Sequence, residues 1–236
     1  MSHGTPVFII CSPRPRVGKT LLARVLAEFL RTEERGLAAF DANPDEHPLL
    51  GCLPAYTAAA SLSDIRGEMA LFDELIIPDG VPKLVDLGDA AFDRFFSVMQ
   101  EIGFMREAQR RSIMPVALFL ADPENRTRRG YAMLLDRLPE LALVPVFNEM
   151  ISTYVPFRHH FPRTRKGGSP MAMPMISPVV REVMERPGYC FAAFSESPGA
   201  MSTELYRWTR RMFLQFRELE LHLLLEQLKP SLQAAR

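Results

Sequence analysis

Gly18-Lys19-Thr20 is the triplet whose residue types and order point most directly to chemistry. A lysine beside a hydroxyl residue, where a helix begins, suits a polyphosphate and its metal ion. A helix N-terminus presents unpaired N–H groups and a partial positive charge to an anion. The Lys19 ammonium can reach the β- and γ-phosphates, and the Thr20 hydroxyl can bind Mg2+. Gly18 lets backbone approach with no Cβ in the way. Val7-Phe8-Ile9-Ile10-Cys11 just upstream is a short apolar run that reads as a buried strand, ended by Ser12-Pro13. Beyond Gly18, Leu21, Leu22, Val25, Leu26, Phe29 and Leu30 share one helical face, and Gly36 marks a stop. Strand, loop, Gly-Lys-Thr and helix is the setting a phosphate-binding loop requires. Pro13 and Pro15 lack N–H donors, so this loop offers a phosphate fewer hydrogen bonds than usual.

Polar residues close three further apolar runs. Leu37-Ala38-Ala39-Phe40 reads as a second strand ending at Asp41, followed by the turn chemistry of Asn43-Pro44-Asp45. Lys83 to Gly88 reads as a strand carrying Asp86 and running into a loop. Leu143 to Phe147 is another strand, with Asn148 at its end; its Pro145 suggests a position near the sheet edge or a bend.

These residues resemble the deviant Walker A motif of the ParA/MinD superfamily of P-loop ATPases, Gly-Lys-Gly-Gly-Val-Gly-Lys-Thr, which falls on residues 13–20. Val17, Gly18, Lys19 and Thr20 match. Pro13, Pro15 and Arg16 stand at glycine positions. Arg14 stands where the family has a signature lysine that reaches the partner's nucleotide in an ATP-sandwiched dimer; it keeps the charge but is longer and planar. Asp41 matches the first acid of the family's Asp-x-Asp-Pro, and Asn43 replaces the second, which helps position the attacking water. An Asn cannot take a proton, so the resemblance implies slow hydrolysis unless Asp45 or Asp41 substitutes. Asp86 resembles the Walker B acid that holds Mg2+ through water; the plainer reading is an Asp that caps a turn. Asn148 resembles the strand-end residue that meets the adenine base. The resemblance runs over about residues 5–200 in element order. It implies ATP and Mg2+ as cofactors, with Arg16, Val17, Gly18, Lys19, Thr20, Leu21 and Asn148 about the nucleotide. Thr20 and Asp86 would hold the metal, and Lys19, Asp41, Arg14 and Asn43 would act in turnover.

The surrounding elements must position these groups. Residues 42–60 read as loop. Helices are expected at Leu62 to Leu75, around Phe92, Phe95, Phe96 and Met99, at Asn125 to Arg137, at Pro178 to Glu185 and at Thr203 to Leu228. Val116 to Leu120 is the clearest buried strand, residues 151–172 an inserted loop, and Met173 to Ile176 a short strand. Strands alternating with helices imply a doubly wound α/β fold, a mostly parallel sheet with helices on both faces. The 236 residues suit a single domain of this kind, with 47% apolar and 24% charged residues excluding a disordered or fibrous chain. The longest apolar run, Pro115 to Ala121, is far short of the ~20 residues that span a bilayer. The N-terminus has no export pattern, and three scattered cysteines, Cys11, Cys52 and Cys190, suit reduced thiols in the cytoplasm.

Net charge is zero, but residues 1–100 sum to −5 and residues 101–236 to +5. No acidic residue lies between Glu149 and Glu182, a span holding Arg158, His159, His160, Arg163, Arg165 and Lys166 with Phe157 and Phe161 interleaved. Such a loop could grip DNA non-specifically through residues 158–166, stand solvated, or close over the nucleotide. On the terminal helix Glu218, Glu220 and Glu226 oppose a membrane anchor, leaving core docking or a protein interface. Three functions stay open. The first is a nucleotide-dependent homodimer switch, with an activating protein partner, that positions or partitions a cargo. The second is a non-hydrolysing scaffold. The third is an ATP-dependent ligase resembling dethiobiotin synthetase, whose loop also ends in Val-Gly-Lys-Thr.

Overall fold

Three prolines sit inside strands of one parallel sheet, and each falls where a neighbouring ladder has not yet begun. The computed structural model describes residues 4–32, 36–44, 46–153, 155–186, 189, 191, 194, 199 and 203–234, with side chains to 228. The strands are β1 (Thr5–Cys11), β2 (Ala38–Ala42), β3 (Thr57–Ala59), β4 (Lys83–Leu87), β5 (Ile113–Ala121), β6 (Ala142–Asn148) and β7 (Met171–Met173). They pair in the order β3-β2-β4-β1-β5-β6-β7, every pair parallel. Pro6 precedes the β1–β4 ladder, which starts at Val7; Pro115 precedes the β5–β6 ladder, which starts at Val116; Pro145 precedes the β6–β7 ladder, which starts at Val146. A residue without an N–H is tolerated where one side of the strand is unpaired. Pro145 accordingly lies one strand in from the β7 edge.

The helices are α1 (Lys19–Thr32), α2 (Pro48–Cys52), α3 (Ile65–Leu75), α4 (Phe92–Glu101), α5 (Phe104–Arg110), α6 (Asn125–Arg137), α7 (Pro178–Glu185) and α8 (Glu204–Ala234). Side chains alternate across β1, so the sheet is buried on both faces. Phe8 and Ile10 join α1, α7 and α8 in one core, while Val7, Ile9 and Cys11 join α3 to α6 in the other. In the first core the Phe29 ring meets Phe213 at 5.4 Å and Phe216 at 5.5 Å. The result is the expected doubly wound α/β fold of the P-loop NTPase kind, and no helix among the described residues is long and apolar enough to cross a membrane.

Residues 42–60 are not all loop: they contain α2 and β3. Pro48 opens α2, but its cap is remote, because the Asp41 carboxylate at the end of β2 accepts from the Leu49 and Leu50 amides at 2.7 and 3.1 Å. Helix α5 follows α4 after a turn at Gly103. The last strand is Met171–Met173, two residues earlier than the expected Met173 to Ile176. It is fixed there by pairing with Val146–Asn148. Its outer edge is closed by one side chain: Ala172 donates to Gln215 Oε1 at 2.7 Å, and Gln215 Nε2 donates back to the Ala172 carbonyl at 2.9 Å.

The segment 151–172 is tied down. A 3-10 turn (Val155–His160) places Phe157 in the second core with Phe161, against Phe147 and Tyr131. These rings therefore are not surface partners of the basic residues. Arg158 lies over the Phe147 ring, Lys166 pairs with Glu140, and Arg165 approaches Glu226 at 3.8 Å.

Candidate phosphate-binding site

The site lies beyond the C-terminal ends of β1, β2, β4 and β6, beside the point where the chain switches from building one half of the sheet to the other. Open α/β sheets bind ligands at such points. Strand β1 ends at Cys11 and α1 begins at Lys19, so residues 12–18 form the loop between them. Pro13 is buried, its Cγ so near Gly130 of α6 that a Cβ there would lie 3.0 Å away. Arg16, where the resemblance puts a glycine, has φ 57°, the left-handed conformation that glycine adopts freely. The loop keeps that shape despite a side chain. Gly18 has φ +97°, and a Cβ on it would come within 2.7 Å of Asn148 Nδ2. That amide donates to the Val17 carbonyl at 2.9 Å, while Asn148 Oδ1 accepts from the Met150 amide. Asn148 thus fastens the loop to the end of β6.

Thr20 and Asp86, 66 positions apart, meet directly: Thr20 Oγ1 donates to Asp86 Oδ2 at 2.7 Å. Asp86 is fully buried, and its Oδ1 has no hydrogen-bond partner. Burial pushes its carboxyl up to about 6, the neighbouring Asp41 adding to the rise while Thr20, Lys19 and Asn43 oppose it. An orphaned buried carboxylate oxygen beside a hydroxyl fits a Mg2+ ion. No group of three or more acidic, His or Cys side chains among the described residues could hold a metal, so phosphate and water would supply the remaining oxygens.

Lys19 curls back onto its own loop. Its Nζ donates to the Arg14 carbonyl at 2.7 Å and lies 3.6 Å from Asp89 Oδ1. Burial holds this ammonium below the ordinary lysine range, with Asp89 and then Asp86 pulling it back up. Asp89 follows Gly88, the first residue after β4, and was not singled out by sequence. A carboxylate next to Gly88 in a strand-end loop was the available signal.

Asp41 is engaged on both oxygens. Besides α2, it accepts from the Asn43 amide at 3.2 Å and from Asn43 Nδ2 at 2.7 Å. Asn43 Nδ2 also lies 3.5 Å from Asp86 Oδ2, so Asn43 sits between the two acids. Asp45 lies outside the described residues. Arg14 turns away from this group. Its Nη1 lies 3.1 Å from Asp122 Oδ2, at the end of β5, and 3.8 Å from Glu124 Oε1. Sequence reasoning missed both acids, which the Asp-Pro-Glu turn after the strongest strand could have flagged.

Arg16, Gly18, Thr20, Leu21 and Asn148 line one cleft of about 230 Å³, together with Met150, Met184 and Arg181 among others. It is thus bounded by residues of the 12–18 loop, the start of α1, the end of β6 and α7. The expected site residues therefore gather in three places, the cleft, the Asp41–Asn43–Asp86 group, and Arg14 on the Asp122 side, while Lys19 reaches the Arg14 carbonyl and Asp89. No protein-family model matches this chain, and no curated protein matches it in sequence.

Proposed function

We propose that this chain is a divergent ParA/MinD-like ATP-binding protein, cytoplasmic, working as a nucleotide-dependent homodimer switch with slow hydrolysis. The observation that carries the reading is the 2.7 Å contact between the Thr20 hydroxyl and Asp86, whose other oxygen has no partner. A hydroxyl and a buried acid held this close would share a metal ion bound between them. In this reading Val17 to Leu21 supply backbone N–H groups to the phosphates, Lys19 neutralises them, Thr20 and Asp86 hold Mg2+, and the base enters the cleft beside Asn148. Bound Mg2+ would draw charge from the γ-phosphate as it is transferred. Arg14 would exchange Asp122 for the partner's nucleotide, coupling ATP to dimer formation. The switch would position or partition a cargo, and an activating protein partner would accelerate its reset.

A second reading, a scaffold that binds nucleotide without turning it over, draws on Asn43 and Asp41. The first cannot accept a proton, and the second has its oxygens filled by four donors. Gel filtration with a non-hydrolysable ATP analogue, beside calorimetry with ATP and Mg2+, separates the outcomes. Binding with a shift to dimer supports the switch. Binding with unchanged elution removes the switch and leaves the scaffold. Absence of heat and of protection from melting overturns both. Hydrolysis abolished by Lys19→Ala would exclude the scaffold, whereas turnover only with an added carboxylate or amine acceptor would favour a ligase.

A further inference from the structure

Helix α8 is apolar on two sides, and the core uses one of them. Leu205, Trp208, Met212, Phe216, Leu219 and Leu223 are buried. The opposite side carries Arg207, Arg211, Leu214, Glu218, Leu221, Leu225 and Leu228, at spacings alternating four and three. That is the spacing of a seam between paired helices. Its four leucines are 44–60% exposed.

The charges on this helix are ordered. Arg207, Arg210, Arg211 and Arg217 come first, Glu218, Glu220 and Glu226 follow, and Lys229 comes after them. Apart from Glu204 and Lys229, that order opposes the helix dipole, which favours acids at the N-terminus and bases at the C-terminus. It therefore costs the isolated helix stability, which contacts within the chain offset in part, Arg165 lying 3.8 Å from Glu226 and Arg217 lying 5.9 Å from the Phe29 ring.

We propose that the exposed face of α8 pairs antiparallel with the same face of a second copy of this chain, without nucleotide. About the bond between residues 217 and 218, Arg217 mirrors Glu218 and Leu214 mirrors Leu221. A two-fold axis there sets Leu214 against the partner's Leu221, and brings the partner's Glu218 to the exposed Arg217, which would share its guanidinium with the Phe29 ring of its own chain. It also lays the stems of Arg207 and Arg210 along the partner's Leu225 and Leu228. The helix dipoles then oppose each other favourably. Anionic lipid is a poorer occupant, because the leucine-rich half is the half that bears the glutamates. An unrelated protein would require no such internal mirror. This surface is separate from the phosphate loop, so the pairing stands or falls independently of nucleotide binding.

Sedimentation of the full chain without nucleotide, from about 1 to about 100 µM, tests this, since interfaces of modest area titrate in that range. A monomer–dimer equilibrium is expected. Arg217→Glu alone places acid against acid, and Glu218→Arg alone base against base; each weakens pairing roughly tenfold or more. An equimolar mixture of the two single variants restores complementary pairs and recovers a dimer, as does the double exchange within one chain. Both positions are exposed, and unchanged circular dichroism and melting of each variant separate lost pairing from lost fold. A monomer throughout the concentration range overturns the proposal. So does a dimer indifferent to both reversals, or binding to phosphatidylglycerol vesicles by a chain that stays monomeric in solution.

Discussion

The Asp89 carboxylate stands 3.6 Å from the Lys19 ammonium, in the place a phosphate would compete for. With the Arg14 carbonyl at 2.7 Å, it gives the loop lysine internal partners where the proposed phosphate would bind. Asp89 is about one-third exposed, so the pairing is partly screened, yet it must be broken before a nucleotide can use Lys19. Asp89→Asn is expected to tighten ATP binding several-fold in calorimetry while leaving the fold intact. Equal or weaker binding would show that Asp89 does not compete.

Asp86 makes the site sensitive to acid. Burial lifts its carboxyl to about 6 in the folded chain, above the ordinary aspartate value near 3.8. A raised carboxyl contributes stability that is full below the unfolded value and is lost as pH rises through the folded one. The stability difference it can carry across that window is roughly 3 kcal/mol. A metal needs the ionised form, so protection from melting by Mg2+ and ATP should be larger at pH 7 than at pH 5, roughly one unit to either side of that value. Asp86→Asn should stabilise the ligand-free protein near neutral pH and flatten that difference. A ligand-dependent shift that keeps its pH profile in Asp86→Asn would refute this assignment.

Arg16 adopts a conformation that a side chain resists. A non-glycine residue in the left-handed region typically costs about 1–3 kcal/mol. Arg16→Gly is expected to raise the melting temperature by roughly 2–4 °C, the shift that about 1 kcal/mol produces in a chain of this size. A fall would mean that the guanidinium makes a compensating contact.

Gly18→Ala should do the reverse. The new methyl would sit in a left-handed conformation and within 2.7 Å of the Asn148 amide, displacing its bond to Val17. We expect a loss of about 1–3 kcal/mol on thermal melting, together with weakened nucleotide binding. Undiminished binding would show that the Asn148 clasp is dispensable.

What the sequence made legible was local and periodic. The run Val7 to Cys11, the helical face from Leu21 to Leu30 and the Gly-Lys-Thr between them stand in one continuous stretch, and they fold as expected. The bounds of α6 and α7 match because composition punctuates them, Pro178 opening α7. The acids at strand ends were visible as residues, and the family pattern brought Thr20 and Asp86 together. The features that escaped depend on distant groups. Helix α2 is capped by an acid from β2, and β7 is placed by register with β6. Phe157 and Phe161 looked like loop aromatics because nothing nearby reveals the Tyr131 and Phe147 rings they pack against. Arg14 and Asp122 are ion-paired across 108 positions, beyond the reach of any periodicity.

Gln215 carries a consequence for how this protein meets others. Its amide returns a donor and an acceptor to Ala172, imitating the peptide unit of a strand that is not there. Exposed β-edges recruit extended segments from other chains and seed cross-β aggregates. Here that vacancy is filled from within, so invading chains find no template beside Ala172. Replacing Gln215 with leucine would reopen it, and fibril growth on prolonged incubation would be the sign.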